Sequence, residues 1–509
     1  MNTIHNLLAK VTIPSLALAF LTACSSDWLE VTPPAAMPID EYFTTTEHME
    51  EAVVAAYDPL EWPDWAAGQY NPVCIMSDIM ADQIWVGGQD KTDNQFWHLM
   101  MNYEAIPTNC MSGLWSDAYS GVKRCNDALK YLDWVTDGKL TDQRRKELEA
   151  QLRVLRVFYY NWLWKFWGDI PYYEVNLEYP YTKEQSKADE VYANMMADLK
   201  GAIALNALPM TCTGTANQGR VTKAMAYMLF AEIAMYQNDE ADMRQALTYM
   251  KEIIADTNYD LNPDYAMIFR EAGEWSKESI FEINYKDDNA VRSWDWVRGA
   301  GGTVLPRLIS PHGWTDGLLG HDNGWGFAPI RLETFQMFAE GDARRDATCW
   351  LADGSYNQRY QDTGYFLEKY AAHTGDNADQ LADGDLNYNN NLRIYRYSEA
   401  LLNAAELVVR GMGEGDAAAW LNAVHSRAGL TDQVAATLDN IKRERQLEFV
   451  GEGKRYWDLI RWGDAATVLV PDQYGYRTNT WSEARKYLPI PQSEIDAANG
   501  TLLQNPNYK

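Results

Sequence analysis

The segment from Thr141 to Trp167 constrains the fold most, because its apolar side chains recur every three or four residues. That spacing is the period of an α-helix with one apolar face. Gly168 stands where a left-handed cap ends a helix, and Pro171 blocks continuation. The apolar positions are Leu148, Leu152, Leu155, Tyr159, Trp162 and Phe166. This segment therefore predicts a helix packed within a larger helical scaffold.

The same period recurs along much of the chain, often in adjacent helix pairs with short joints. The further predicted helices span 115–134, 187–206, 222–237, 240–256, 397–411, 415–428 and 437–462. Pairs with helices of roughly 15–20 residues are the units that tetratricopeptide solenoids stack, although the strict consensus of that repeat is absent. We therefore predict an all-α fold built on a tetratricopeptide-like scaffold of helix pairs.

The region from 257 to 395 differs from the rest, since it is rich in Gly, Asp, Asn and aromatic residues and poor in long helical stripes. Ser279 to Tyr285 alternates like a short strand, and Gly299, Gly301 and Gly302 mark turns. We predict a loop-rich variable region with a few short strands, inserted into the scaffold. Binding residues are disproportionately found on such loops.

The N-terminus has the pattern of a secretory signal peptide. Lys10 is the only charged side chain before Cys24, and residues 11–23 are uncharged and mostly apolar. This stretch is too short to span a bilayer, which takes roughly 20 apolar residues. Leu21 to Cys24 resembles a bacterial lipobox, in which the cysteine carries the lipid; an ordinary cleaved signal with an incidental cysteine is the alternative.

We accordingly predict a lipoprotein signal peptide at 1–23, with lipid attached at Cys24. The polar run Ser25 to Asp27 resembles a surface-export signal, which favours a position facing the cell exterior. Residues 24–45 are rich in Pro and Thr and are predicted to form an extended tether.

The net charge limits the expected ligands, and the cysteine pattern limits the expected disulfides and zinc sites. The formal net charge of −28 repels nucleic acid and anionic lipid headgroups, so nucleic acid is not an expected partner and neutral ligands are favoured. Five cysteines follow Cys24 without CxxC or zinc spacing, and an odd number cannot pair completely. We expect most of them to be buried small hydrophobic residues.

Several short segments form an ordered set along the chain. They are Trp115–Tyr119 with Cys125 and Asn126, Leu155–Tyr160, Gly168–Pro171, Arg220–Ala234, Arg396–Leu402 with Ala405 and Glu406, Asn422–Gly429, Glu444–Trp462, Pro489–Pro491 and Gln504–Tyr508. Each is weak alone, but together they resemble the SusD/RagB family of Bacteroidetes outer-membrane lipoproteins from about residue 40 to 509. Two departures are His425, where the family usually has Arg, and Asn507, where Gly is usual.

The resemblance implies a single SusD-like domain at 46–509, with the helical scaffold at about 46–256 and 396–509 and the variable insertion at about 257–395. It also implies an outer-membrane location and a partner, a SusC-like TonB-dependent β-barrel transporter on which such a protein sits as a lid.

Aromatic residues in weakly periodic sequence are the candidate glycan-binding residues, because sugar rings present C–H patches that pack on flat aromatic faces. Asn and other polar side chains can then bind the hydroxyl groups. The candidates are Trp85, Asn94 and Trp97 before the first long helix, and Trp294, Trp296, Arg307, Trp314 and Trp325 in the variable region. The competing interpretations are packing of the loops on the scaffold and, for Arg307, a structural ion pair.

Other features favour structural roles. Trp162, Trp164 and Trp167 follow the long helical segment and are predicted core residues. Acidic residues alternate with arginine from Arg443 to Arg461, a spacing that forms ion pairs and argues against catalytic carboxylates. We find no HExxH, GxSxG or phosphate-binding motif, and expect no catalytic residue.

We expect no metal site and no cofactor. Asp383 to Asn389 faintly resembles a calcium loop but lacks the Gly and Glu that such a loop requires, which favours a solvated loop. Calcium elsewhere in the variable region stays an open alternative.

The sequence thus favours a cell-surface lipoprotein that captures an oligosaccharide or polysaccharide and delivers it to a transporter, and not an enzyme. Two alternatives remain. One is a RagB-like peptide receptor on the same scaffold, and the other is a surface glycoside hydrolase or lyase, which would need a carboxylate pair.

Overall fold

The computed structural model describes residues 37–65, 68–212, 214–296, 298, 301–315 and 320–508. The predicted signal peptide, Cys24 and the tether up to residue 36 lie outside the described residues. In the described end of the tether, Ile39–Tyr42 forms a helix. The prediction of an extended segment up to residue 45 is therefore wrong in this part.

Helices make up most of the regular structure in the described part of the chain. They are α1 Ile39–Tyr42, α2 Thr46–Tyr57, α3 Val73–Asp78, α4 Gln95–Met101, α5 Gly113–Tyr131, α6 Asp142–Trp167, α7 Ala188–Ala204, α8 Lys223–Gln237, α9 Glu240–Ala255, α10 Leu305–Ile309, α11 Leu332–Gln336, α12 Ala343–Thr348, α13 Tyr397–Val409, α14 Ala417–Arg427, α15 Leu438–Glu448, α16 Arg455–Trp462, α17 Ala465–Val468 and α18 Gln492–Ala497. Among these described helices, none combines the length and apolar character that crossing a membrane requires.

Helix α6 lies at the centre of the scaffold. The Thr141 hydroxyl caps it by accepting from the Arg144 backbone N–H at 3.2 Å. It ends at Gly168, whose φ is 73° and whose N–H donates to the Trp164 carbonyl at 3.0 Å. The sequence predicted a single apolar face, but nearly every residue from Ala150 to Trp167 is buried. Neighbouring helices enclose this half of α6 on all sides, and its three tryptophans are core residues as predicted.

The predicted scaffold of helix pairs is confirmed. Helix α5 packs on α6, α8 packs on α9, and α13 packs on α14. Contacts of α6 with α7 and of α9 with α13 join one pair to the next. The apolar core is continuous through these contacts and extends beneath the variable region.

The predicted helix at 437–462 is wrong in one respect, because it is two helices. Helix α15 ends at Glu448, and α16 begins only at Arg455. In the turn between them Gly453 has a φ of 73°, and a Cβ there would lie 2.8 Å from the Cα of Cys74. The chain breaks its helix at this point so that its backbone can approach α3.

The variable region contains only short elements among its described residues. Strand β1 (Ser279–Ile283), which falls within the predicted strand, pairs antiparallel with β4 (Leu392–Arg396). Strand β2 (Cys349–Leu351) pairs antiparallel with β3 (Tyr365–Leu367). Because β4 leads directly into α13, the β1–β4 ribbon connects the variable region to the scaffold.

A buried ion-pair network joins four elements at the carboxylate of Glu448, the last residue of α15. It accepts from Arg396 Nη1 on β4 at 2.9 Å and from Arg344 Nη1 on α12 at 3.3 Å. Arg427 Nη2, at the end of α14, donates to the same group. Burial alone would raise the pKa of this carboxyl, but the three guanidinium groups hold the pKa well below its ordinary value.

The charged residues around Glu448 form ion pairs, but most of their partners are far away in sequence and not three or four residues along one helix, as the spacing predicted. The pairs are Glu444 with Arg344, Arg445 with Asp458, Glu452 with Arg396, Arg455 with Asp82, and Arg461 with Glu406. Arg443 differs, because it donates to the Met337 carbonyl. These carboxylates therefore have a structural role.

The five described cysteines are free thiols. Cys74, Cys110, Cys125 and Cys349 are buried, as expected, whereas Cys212 is half-buried. Burial raises the pKa of the Cys110 and Cys349 thiols to about 12, so both are protonated at neutral pH.

Replacing Glu448 with glutamine should lower the free energy of unfolding by about 3–5 kcal/mol, because it leaves buried guanidinium groups without their counter-charge. Urea denaturation at neutral pH measures this difference. The difference should shrink in acid: the carboxylate's contribution is complete above the ordinary pKa of 4.5 and is lost as the pH falls towards the lower native pKa.

The matched control is Lys123→Ala, which removes an exposed pair with Asp127 on helix α5, where the lysine side chain is 65% exposed. Its cost should stay below about 0.5 kcal/mol. Equal losses in the two variants would contradict the central role of Glu448.

Candidate functional site

Four aromatic side chains, two from the N-terminal part of the scaffold and two from the variable region, meet at the surface and form an aromatic platform. They are Trp65, Tyr70, Trp294 and Trp325. Their ring centroids are joined in a closed circuit, with Trp65–Tyr70 at 4.3 Å, Tyr70–Trp325 at 5.7 Å, Trp325–Trp294 at 6.0 Å and Trp294–Trp65 at 5.6 Å. Trp294 is 41% exposed, and the other three are half-buried.

A buried ion pair fixes the two halves of the platform relative to each other. Asp64, which precedes Trp65, accepts from Arg292 Nη1 at 2.9 Å and from Nη2 at 2.5 Å. Its carboxylate also accepts from the Thr303 hydroxyl at 2.9 Å. Both members of the pair are almost fully buried. Because Arg292 lies two residues before Trp294, this pair sets the spacing of the Trp65 and Trp294 rings.

The loop Asp383 to Asn389 supports the platform from beneath. Asp383 Oδ2 accepts from the Trp294 backbone N–H at 3.1 Å, and Asn387 Oδ1 accepts from the Gly302 N–H at 3.2 Å. A Cβ at Gly302 would lie 2.3 Å from the Asn387 carbonyl carbon, so only glycine permits this approach. Asn387 is buried, and the interpretation of this segment as a solvated loop is therefore wrong.

Arg307 forms the structural ion pair that was the alternative to ligand binding. Its Nε lies 3.0 Å from Asp385 Oδ1, and its Nη1 donates to the Asn323 carbonyl. Its own carbonyl accepts from the Trp325 N–H at 2.8 Å. Arg307 thus positions Trp325, while the half-exposed Asp385 carboxylate remains accessible at the rim.

The electrostatic surroundings of the platform favour a neutral tyrosine. Burial raises the pKa of the Tyr70 hydroxyl, and the carboxylates of Asp93 and Asp385 raise it further. The hydroxyl is therefore a hydrogen-bond donor at neutral pH. Donors and carboxylate acceptors beside flat rings are suited to polyhydroxylated, uncharged ligands.

The predicted N-terminal candidates are not part of the platform. Trp85 is 1% exposed and packs under the Arg331 guanidinium, 3.6 Å from its ring centroid. Trp97 is fully buried and donates its indole N–H to the Tyr70 carbonyl at 3.0 Å. Neither ring presents a face to a sugar. Asn94 stands at the N-cap position of α4 with a φ of 47°, but its side chain makes no capping hydrogen bond, and its buried Nδ2 has no partner among the described residues.

Two further tryptophan candidates, Trp314 and Trp296, differ in their exposure to solvent. Trp314 is 4% exposed and packs edge-on against Trp350 at 4.9 Å, in a small separate core with Phe366. It is a packing residue. Trp296 is 68% exposed, two residues beyond Trp294, in a turn closed by its N–H donating to the Ser293 carbonyl at 3.0 Å.

Sequence reasoning missed Trp65 and Tyr70, which form half of the platform. They follow Pro63 in a stretch that is aromatic, interrupted by Gly68 and free of helical period. The same combination identified the candidates at 294–325, so the signal was present at 62–70 as well.

Two protein-family models match parts of this chain. Residues 350–508 match one described as the SusD family, and residues 27–235 match one described as starch-binding associating with outer membrane.

Several solved structures share the fold over 91% of this chain. Surface glycan-binding protein A from Bacteroides thetaiotaomicron is 63% identical, covers 91% of this chain and 100% of its own, and has a TM-score of 0.88; it has also been solved in complex with laminarihexaose. The counterpart from Bacteroides uniformis is 50% identical with a TM-score of 0.83 and the same coverage. A laminarin binding SusD-like protein is 26% identical with a TM-score of 0.81, again covering 91% and 100%.

Replacing Asp64 with asparagine should lower the free energy of unfolding by about 3 kcal/mol, because it leaves the buried Arg292 guanidinium without its counter-charge. It should also reduce the near-ultraviolet circular dichroism of the aromatic residues at temperatures where the chain is still folded, since the platform rings lose their fixed spacing.

Asp295→Asn is the control, because this residue lies in the same loop and is exposed. We expect that variant to match the parent in both measurements. An unchanged aromatic signal in Asp64→Asn would show that the ion pair does not set the platform.

Proposed function

The chain belongs to the SusD family, and we propose that it is a surface receptor that binds laminarin-type oligosaccharides on the aromatic platform without cleaving them. The closed circuit of four partly exposed rings is the observation that carries the proposal. The complex of the 63%-identical protein with laminarihexaose supports this class of ligand.

Stacking explains why such a surface suits a glucan. The C–H face of a glucose ring packs against an indole or phenol face and removes apolar area from water. Hydroxyl groups at the ring edge then meet the Tyr70 hydroxyl and the Asp385 carboxylate. A formal net charge of −28 disfavours polyanionic polysaccharides at the same surface.

The angles between the rings favour a curved ligand. Trp294 and Trp325 are inclined by 30°, and Trp65 and Tyr70 by 34°, whereas the two pairs meet at 76° and 59°. The rings therefore form a corner and not a plane. A glucan that bends along its length, as laminarin does, follows a corner better than a flat extended ribbon such as cellulose.

Binding without cleavage is the interpretation that the nearby carboxylates support. Glycoside hydrolysis needs two carboxyl groups facing one scissile bond. Asp383 is already bound to the Trp294 N–H, and Asp385 is paired with Arg307. Asp383 thereby holds the Trp294 backbone, and Asp385, paired with Arg307, keeps its exposed side for accepting hydrogen bonds from hydroxyl groups.

We further propose that Cys24 carries the lipid that attaches the protein to the outer membrane, and that a SusC-like TonB-dependent β-barrel receives the bound glycan. The membrane association in the description of the matching model supports the first part. Family membership supports the second. Delivery requires release, so a micromolar site, about −8 kcal/mol, suits this role better than a tighter one.

Trp294→Ala should weaken binding of laminarihexaose at least tenfold, about 1.4 kcal/mol or more, because it removes the most exposed ring of the platform. Isothermal titration of the soluble chain from Ser25 onward measures the dissociation constant. Trp294→Phe should retain part of the affinity, since phenylalanine keeps a smaller flat face.

Tyr179→Ala is the matched control, because Tyr179 is 86% exposed and lies outside the platform. Cellohexaose, an extended glucan, tests the curvature argument and should bind at least tenfold more weakly. Incubation with laminarin should release no new reducing ends. Equal binding of laminarihexaose and cellohexaose, binding of peptide mixtures alone, or release of reducing ends would each contradict the proposal.

Cys24→Ser should shift the protein from the membrane to the soluble fraction of the source cells, because the thiol that takes the lipid is lost. Fractionation with immunoblotting measures the shift, and Cys110→Ser is the control. Mild detergent extraction of the unaltered chain should recover a β-barrel transporter with it. Membrane retention of Cys24→Ser would exclude this anchor.

A further inference from the structure

A second cluster of side chains lies outside the aromatic platform, in the variable region. It consists of His321, Glu368 and His373, and we name it the His–Glu cluster. One ligand atom from each residue lies within 4.8 Å of the others. We propose that this cluster binds a divalent first-row transition metal ion, with zinc as the natural probe.

The two distances from the imidazole nitrogens to the carboxylate oxygens are close to those around such an ion. His321 Nε2 lies 2.9 Å from Glu368 Oε2, and His373 Nε2 lies 3.6 Å from Glu368 Oε1. Tetrahedral zinc with bonds of about 2.0–2.1 Å separates its ligand atoms by about 3.3 Å. Two imidazoles and one carboxylate are a donor set for zinc and its neighbours, whereas calcium and magnesium prefer oxygen alone.

The local structure holds the two imidazoles in place. His321 and His373 face each other in an antiparallel bridge, supported by the Asp322 N–H donating to the Ala372 carbonyl at 2.8 Å. The His321 ring stacks on Trp350 with centroids 3.9 Å apart. The rings of His321 and His373 also lie against each other, with centroids 4.5 Å apart.

Glu368 is a buried carboxylate whose position follows from the fold. It comes directly after strand β3 and is 8% exposed. A carboxylate at that depth requires a cation beside it, and Arg270 supplies that cation in this structure. The cluster therefore has a fixed backbone, fixed rings and a buried negative charge, which are the properties of a preorganised metal site.

Arg270 is the cation that faces the cluster. Its guanidinium donates both to Glu368 Oε1 and to His373 Nε2, the atoms that a metal ion would use. A guanidinium and a metal ion cannot share these lone pairs. The Arg270 side chain is 31% exposed, so it can move into solvent when a metal ion replaces it. Arg270 thus competes with the metal and lowers the apparent affinity.

Coordination would have a structural consequence. His321 lies four residues before Trp325, so the ion would join the segment that carries a platform ring to residues 368–373. Three protein ligands leave one position for water.

The experiment is calorimetric titration of Zn²⁺ into the chelator-treated soluble chain at neutral pH, with the bound metal counted by mass spectrometry after dialysis. We expect one zinc ion per chain. His321→Ala and His373→Ala should each weaken binding at least tenfold, and Arg270→Ala should strengthen it severalfold. His48→Ala, which removes a histidine outside the cluster, should leave the affinity unchanged.

Cobalt supplies an independent signature, because a four-coordinate Co²⁺ site absorbs visible light far more strongly than the hexaaquo ion. This absorption should appear in Arg270→Ala and be lost in Glu368→Gln, a variant that keeps the shape of the side chain. Failure of both the unaltered chain and Arg270→Ala to bind zinc would overturn the proposal. So would undiminished affinity in the two histidine variants.

Discussion

The fold depends on a carboxylate that is buried among three arginines. Glu448 ends α15, and the guanidinium groups of Arg344, Arg396 and Arg427 bring α12, β4 and α14 to it. Such a cluster is costly to desolvate and stable only when every partner is present. It therefore specifies one arrangement of the C-terminal helices and the variable region more than it adds to overall stability. Arg396 also begins the connection from β4 into α13, so the network lies where the loops join the scaffold.

A smaller buried ion pair lies beneath the aromatic platform. Asp64 and Arg292 form a buried pair between segments 228 residues apart, and Asp383 and Arg307 hold the backbone beside Trp294 and Trp325. Loops alone would leave four large rings free to pack in several ways. Charged and polar groups in the layer below convert those loops into a rigid support, which explains why a binding surface can be built on irregular structure.

The scaffold was predictable because helical period is local information. The helices at 142–167, 188–204, 223–237 and 240–255 were predicted within a few residues from the spacing of their apolar residues. The break at Gly453 was not, because its cause is a close approach to Cys74, far away in sequence. For the site, the sequence predicted the class of ligand but not which residues are exposed. Excess tryptophan in aperiodic sequence indicated a sugar surface, but the spacing of residues does not reveal which face of a ring is buried, so Trp85, Trp97 and Trp314 were chosen alongside Trp294. The His–Glu cluster carried no motif, because its members meet only through the pairing of two loops.

The closed circuit of rings has a consequence for the rate at which the receptor works. Each platform ring is braced by two others, so binding a glycan does not require freezing a mobile side chain, a cost of about 0.5–1.5 kcal/mol for each one immobilised. Without that entropic penalty, modest contact area suffices for useful occupancy. The encounter complex is already close to the final geometry, and neither capture nor release waits for the rings to rearrange. Under the proposed function, the rate of capture is then governed by how often an oligosaccharide arrives.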